Sequence, residues 1–257
     1  MSSPKPKRER ADVLVVARGL APSRAKAQAM ILAGEIFAGE RRVEKSGDLW
    51  PIDAELRAAA RARFVSRGGD KLDGALAALS PRFASLEGTV ALDVGASTGG
   101  FTDCLLQRGA AKVYAVDVGF GQLADKLRAD PRVVVRERTN ARELEARAFD
   151  EPVDLVVVDA SFIGLDKLLP AIARSLRSGG ELVALVKPQF EAGRDAVSKG
   201  RGVIRDEAVR EAAIAGARGA AIALGFTILG EVDSPVPGPK GNRERFLWAR
   251  LAGRVEG

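Results

Sequence analysis

One segment constrains this chain more than any other. Residues 89–94 form an apolar run ending in Asp93-Val94, which turns through Gly95-Ala96-Ser97-Thr98-Gly99-Gly100-Phe101 into a helix-compatible stretch reaching Arg108. The order is strand, glycine loop, helix, which opens a parallel α/β sheet. Glycines at 95, 99 and 100 leave room for backbone to approach a ligand closely. A second strand over 112–116 ends in Asp117, about 20 residues beyond the loop, where a carboxylate can accept both hydroxyls of a ribose. Strand and helix then alternate: strands at 132–137, 153–158 and 181–186, helices at 165–176 and 207–224, and two last strands at 226–232 and 246–251. This pattern predicts a doubly wound sheet whose final two strands pair antiparallel at one edge.

A dinucleotide fold of the NAD type needs G-x-G-x-x-G, whereas this loop reads G-x-x-x-G-G. The spacing resembles the first motif of S-adenosylmethionine-dependent methyltransferases, whose donor has no pyrophosphate to cradle. That resemblance implies donor contacts from Asp93, Gly95, Ala96, Ser97, Thr98, Gly99, Gly100 and Asp117. Asn140, just past the strand at 132–137, is a candidate for the adenine end, and equally an N-cap.

Composition narrows the chemistry. The 257 residues contain no histidine, which removes the usual general base, the usual metal ligand and every Ser-His or Cys-His nucleophile system. The single cysteine, Cys104, excludes an intramolecular disulfide and a multi-cysteine zinc cluster, and reads as a small core residue. No metal site is expected. A formal charge of +6 favours a polyanionic partner, since each neutralised phosphate releases counterions. No stretch reaches the roughly 18 to 20 uncharged apolar residues of a spanning helix. The basic N-terminus is not followed by an apolar segment of the signal-peptide kind, so a cytoplasmic location without membrane contact is expected.

The first sixty residues read differently. Residues 1–9 are charged and proline-containing, as a flexible basic tail would be. Val13, Leu14, Val16 and Ala17 make a short helical face ended by Gly19, and Ser23 is placed to cap a second helix running to about Ala33. On that helix Ala25, Ala29, Met30 and Leu32 are expected inward, with Arg24, Lys26 and Gln28 outward. Ile36, Phe37 and Val43 suit short strands around Gly39-Glu40, with Arg41, Arg42 and Lys45 adding positive charge. Two small helices and a basic hairpin resemble the small α+β RNA-binding domain shared with ribosomal protein S-four. The resemblance implies structured-RNA binding over 10–53 through Ser23, Arg24, Lys26, Arg41, Arg42 and Lys45. Residues 54–63, charged and alanine-rich, read as a linker that can be helical and semi-rigid.

Four ionisable residues stand out by position: Lys71 after Ser66-Arg67-Gly68-Gly69-Asp70, Asp159 ending one strand, Lys187 ending the next, and Glu244 entering the last. In an open α/β sheet, strand ends gather at the ligand-binding edge. The segments SRGGDKL, LDVGASTGGFTDCLL, VDVGFGQL, VDASFI, LVKPQFE and GNRERFL together resemble the TlyA, or haemolysin A, family of ribosomal RNA cytidine 2′-O-methyltransferases. Arg245 is the one residue of the last segment that departs from the family pattern, and it reads as ordinary variation.

The resemblance spans about residues 10 to 252. It implies an FtsJ-like, Rossmann-like catalytic domain over 64–257 with a mostly parallel seven-stranded sheet, S-adenosylmethionine as donor, and ribosomal RNA in ribosomal subunits as partner. It carries the family's Lys-Asp-Lys-Glu set onto Lys71, Asp159, Lys187 and Glu244, adds Asp159 to the donor contacts, and places Arg67 toward RNA. A ribose 2′-hydroxyl is a poor nucleophile until its proton is removed. Without histidine, Lys187 is the expected base, with Lys71 nearby disfavouring its charged form, Asp159 fixing the lysines and Glu244 positioning the second one. Transfer RNA as acceptor, a silent RNA-binding protein and a cytolysin are the competing readings. Phe120, Phe162 and Phe190 can stack on a base but read more readily as core.

Overall fold

The computed structural model describes residues 7–59, 62–192, 203–238 and 241–253. The chain divides into two compact units, with the boundary between Ala62 and Arg63.

The first unit carries strand β1 (Arg8–Arg10), helices α1 (Ala11–Ala17) and α2 (Arg24–Leu32), and strands β2 (Ile36–Ala38), β3 (Arg41–Arg42), β4 (Leu49–Pro51) and β5 (Leu56–Ala58). Ser23 caps α2 by accepting the Lys26 backbone N–H at 3.3 Å. Ala11, Val15, Ala27, Ile31, Ile36 and Val43 form the core. Three expectations are corrected. Arg8 and Glu9 belong to β1, paired antiparallel with β4, and not to a tail; residues 1–6 lie outside the described residues. Within the expected linker, Leu56–Ala58 pairs antiparallel with Ile36–Ala38 as β5, because an open edge of β2 offers hydrogen bonds that an isolated helical turn would lack. On α2 the buried face is Ala27 and Ile31, one helical turn apart; Ala25 and Ala29 face solvent and Leu32 is 84% exposed.

The second unit begins with helix α3 (Arg67–Leu79), capped by Ser66, and continues through β6 (Val90–Val94), α4 (Gly100–Gln107), β7 (Lys112–Val116), α5 (Asp125–Arg128), β8 (Val133–Arg136) and β9 (Val153–Val158). It closes with α6 (Leu169–Ser175), β10 (Leu176–Val186), α7 (Pro188–Glu191), α8 (Glu207–Ala223), β11 (Phe226–Asp233) and β12 (Arg245–Leu251). The seven strands lie in the order β11-β12-β10-β9-β6-β7-β8. All neighbouring pairs from β10 to β8 are parallel, while β12 is antiparallel to both β10 and β11. The sheet is thus the mostly parallel, doubly wound sheet expected, with β11 as the edge and β12 one place inside it.

Near-continuous runs of Val, Leu and Ala make strands buried on both faces. Leu92, Val94, Val116, Val156 and Val158 pack toward α6 and α8, while Ala91, Val113, Ala115, Leu155 and Val157 pack toward α3 and α4. The expected helix at 165–176 is shorter than its pattern: a 3-10 turn over Leu165–Lys167 precedes α6, and the chain is already strand at Leu176.

Candidate active site

Chain direction brings the site together. Strands β6, β7, β9 and β10 end at one edge, delivering the loop after Val94, then Asp117, Asp159 and Lys187. Strand β12 runs the other way, so its beginning lies at this same edge, and pairing of Arg245 with Val186 sets Glu244 and Lys187 at adjoining strand ends. Helix α3 contributes Lys71 from one turn inside its capped N-terminus.

The four residues form two pairs. Lys71 Nζ lies 2.6 Å from Glu244 Oε2, and both groups are buried. Gln189 Nε2 donates to the other Glu244 oxygen at 3.3 Å. Lys187 Nζ lies 2.6 Å from Asp159 Oδ1, donates to Ser161 Oγ at 2.9 Å and reaches the Asp159 carbonyl oxygen at 3.5 Å. The expectation that Asp159 fixes both lysines is therefore corrected: each lysine has its own carboxylate. The reason is topological, since Asp159 and Lys187 end adjacent parallel strands while Lys71 meets the start of β12.

Two cavities flank these pairs. One, of about 360 Å³, has apolar walls from Val116, Val118, Ile163 and Leu168, with Asp117 and Asn140 as polar groups. The other, of about 350 Å³, is lined by Lys71, Lys187, Arg67, Ser66, Thr98 and Phe101. Gly95, Ser97, Asp159 and Ser161 line both, so the cavities adjoin along the end of β6 and the loop after β9. The first suits a nucleoside: apolar walls for a base and a carboxylate for sugar hydroxyls. Asp117 accepts the Ser97 N–H at 2.8 Å through Oδ2 and the Gly119 N–H at 2.7 Å through Oδ1. Each carboxylate oxygen still has capacity for one more donor.

Ser97, Arg138 and Phe162 are the described non-glycine residues with positive φ, at 47°, 52° and 66°, and all three lie in loops at this edge, after β6, β8 and β9. Such conformations concentrate where a site over-determines the backbone.

Other expected residues occupy different places. Ala96, Thr98 and Gly100 line the second cavity, while Gly99 and Asp93 line neither. Asp93 is fully buried beneath the loop, where Thr102 Oγ1 donates to Oδ2 at 2.7 Å and Oδ1 has no partner. Burial pushes this carboxyl up to about 7, with the Asp159 and Asp117 charges adding to the rise and the Thr102 bond opposing it. The glycines answer to protein packing as much as to a ligand. At Gly99, with φ +94°, an added Cβ would overlap Leu127 and Leu123, and at Gly95, with φ +85°, it would stand 2.8 Å from the Asp159 carbonyl oxygen.

Asn140 faces the first cavity and also caps a 3-10 turn, with Oδ1 accepting the Arg142 N–H at 3.2 Å and Nδ2 donating to Glu143 at 2.7 Å. Phe120 and Phe162 are not core: Phe162 is 90% exposed and leans on Phe190 at 5.2 Å, and Phe120 lies under the Arg138 guanidinium. Cys104 is buried, and burial raises its thiol to about 12. Arg67 stands exposed at the mouth of the second cavity. In the first unit, Lys26, Arg41, Arg42 and Lys45 are exposed, but Arg24 and Gln28 are engaged with buried Asp12 at 3.0 and 2.8 Å, where Arg10 also bonds.

Sequence reasoning missed Ser161, whose only signal was its place two residues after Asp159. It also undervalued Arg245, which with buried Arg210 and with Arg243 binds Asp233 in a network on either side of Glu244. Among the described residues no cluster of three or more acidic, cysteine or histidine side chains could hold a metal, and no helix is long and apolar enough to cross a membrane.

The FtsJ-like methyltransferase family matches residues 64–251. The 16S/23S rRNA (cytidine-2′-O)-methyltransferase TlyA of Mycobacterium tuberculosis is 45% identical over 95% of this chain and 90% of its own. Hemolysin A of Brachyspira hyodysenteriae is 42% identical over 91% of this chain and 97% of its own. A solved structure from Streptococcus thermophilus, described as a hemolysin candidate, superposes with a TM-score of 0.72 at 41% identity, over 97% of this chain and 90% of that one. The chain therefore belongs to the TlyA, or haemolysin A, family, with an FtsJ-like methyltransferase domain.

Proposed function

We propose that the protein methylates a ribose 2′-hydroxyl in ribosomal RNA, at cytidine, with S-adenosylmethionine as donor. One observation carries the reading: a nucleoside-shaped cavity holding Asp117 adjoins a second cavity holding Lys71 and Lys187, and the two share Asp159. The activity named for the Mycobacterium tuberculosis relative supports the choice of acceptor.

The residues present fit the donor. Asp117 would take the ribose hydroxyls, Val116, Val118 and Leu168 would flank the base, and Ser97, Thr98 and Gly100 would hold the amino-acid end, above the buried Asp93 that underlies the loop. When bound, S-adenosylmethionine supplies a methyl group made electrophilic by its sulfonium.

The protein's own groups act on the acceptor oxygen. Lys187 and Asp159, 2.6 Å apart, stand together at the acceptor side, where the proton leaving the 2′-hydroxyl would be received. Lys71, held from behind by buried Glu244, directs its ammonium to the acceptor side of the cavity and orients the hydroxyl. Much of the acceleration then comes from holding the oxygen in line. Arg67 at the cavity mouth, with Lys26, Arg41, Arg42 and Lys45 of the first unit, would neutralise RNA phosphates, with Ser23 and the Asp12-paired Arg24 beside them as polar contacts. Ribosomal subunits as substrate put the reaction in the cytoplasm.

The test is transfer of labelled methyl to isolated small and large ribosomal subunits, wild type beside Lys187→Ala, with 2′-O-methyl sites mapped. Incorporation that falls by about a hundredfold or more in the variant supports the reading. No incorporation into either subunit or its naked RNA refutes it and directs attention to transfer RNA.

A further inference from the structure

We infer that Ser161 is a positioning residue for the proton-accepting pair, aiming Lys187 Nζ at the acceptor oxygen. The inference rests on the methyl-transfer reading and adds a residue to it.

Three observations converge on this serine. The Lys187 side chain is 9% exposed, and among the described residues the oxygens within reach of its Nζ come from the loop after β9: Asp159 Oδ1 at 2.6 Å, Ser161 Oγ at 2.9 Å and the Asp159 carbonyl at 3.5 Å. Of these, Asp159 Oδ1 is a close ion-pair partner, and the carbonyl contact is at the limit of range. Ser161 thus supplies a second short partner, and with Asp159 it fixes where the remaining N–H positions, or the amine lone pair, point.

The second observation is location. Ser161 lines both cavities, so Lys187 is tethered at the place where donor and acceptor meet, and not deeper in the core. The third is the loop around it. Ser161 lies between Asp159 and Phe162, whose φ of 66° is costly for a bulky residue. Glu191 of α7 accepts the Leu165 N–H at 2.8 Å and ties this loop to the element that follows Lys187. The loop is thus held to the β10 end at both of its ends, and the Ser161 hydroxyl has little freedom to leave Nζ. Because Oγ accepts from Lys187, its own hydrogen is free to be donated toward an incoming oxygen.

The experiment compares wild type, Ser161→Ala and Ser161→Thr in two assays on the full-length protein. Steady-state methylation of ribosomal subunits gives kcat, KM for each substrate and the pH–rate profile. Reductive methylation of Lys187, followed by peptide mass spectrometry without donor or RNA, reports how firmly the amine is held. The expected result for Ser161→Ala is a kcat lower by about tenfold to a hundredfold, the worth of a hydrogen bond to a charged group. Both KM values stay within about twofold, the pH–rate profile is displaced, and Lys187 labels faster; Ser161→Thr, which keeps a hydroxyl, returns all of these toward wild type. Unchanged kcat together with unchanged labelling overturns the inference, as does a loss that appears only in KM. If wild type methylates no RNA while Lys187 still labels faster in Ser161→Ala, the proposed function fails and the positioning of Lys187 stands.

Discussion

Replacing Asp93 with asparagine separates one buried carboxyl from every other titrating group in the fold. The side chain sits in β6, an interior strand of the sheet, fully buried, with one oxygen bonded to Thr102 and the other without a partner. Burial lifts it from the ordinary aspartate value of 3.8 to about 7. The folded state therefore prefers the protonated form. Its contribution to stability is present in full below about pH 4 and is lost as pH rises through about 7. A displacement from 3.8 to about 7, at about 1.4 kcal/mol per pH unit, amounts to about 4 kcal/mol, an upper figure because the loop above can relax and admit water. Asparagine keeps the size and one acceptor oxygen for Thr102 while removing the ionisation. Urea unfolding of wild type and Asp93→Asn at pH 5 and pH 8.5, each followed by the Trp248 signal in a Trp50→Phe background, gives the comparison. The variant's stability relative to wild type should rise between the two pH values by a sizeable part of that 4 kcal/mol. Parallel pH dependence in both proteins would refute the reasoning, because all other carboxyls, including the raised Glu191, cancel in the difference.

Two further predictions concern other parts of the chain. Gly99→Ala should cost about 2–4 kcal/mol, combining an unfavourable positive φ with overlap on Leu127 and Leu123, and should lower the melting temperature measured by calorimetry. Asp12, in the first unit, should show the opposite pH behaviour to Asp93: bonds from Arg10, Gln28 and Arg24 hold its carboxyl far below the usual range, so its stabilisation is present above about pH 4 and lost in acid. Acid unfolding of the first unit, read from Trp50 in a Trp248→Phe background, should lose that steep dependence in Asp12→Asn.

Long, strongly patterned elements were legible from sequence. The strands at Lys112–Val116 and Val153–Val158 appear with the bounds their apolar runs predict, and Asp117, Asp159 and Lys187 sit at strand ends as the alternation requires. Short elements were not, because their stability is borrowed from partners. Leu56–Ala58 is three residues long and is a strand only because β2 is there to pair with it. Leu32 looked inward from its hydrophobicity, but the turn fixed by the Ser23 cap presents Ala27 and Ile31 instead. Phe162 read as core for the same reason, whereas its exposure follows from a backbone conformation no side-chain count reveals. The division of the lysines between two carboxylates was also beyond reach. It depends on which strand ends are neighbours, and that is a property of strand order.

The reversed strand β12 bears on how this fold can vary in length. β11 ends at Asp233 and β12 begins at Arg245; the two residues pair with each other, and Arg245 also pairs with Val186. Changes in the connection between these strands act on the site directly, since Pro237 lines the second cavity and a Cβ added at Gly238 would meet the Glu244 carboxylate. A shift of one residue in β12 itself has a different outcome. Every side chain of the strand would turn to the opposite face, and the partner of Lys71 would be carried out of the site while the sheet kept its shape. The acceptor side is thus sensitive to the connection residue by residue and to the strand as a whole.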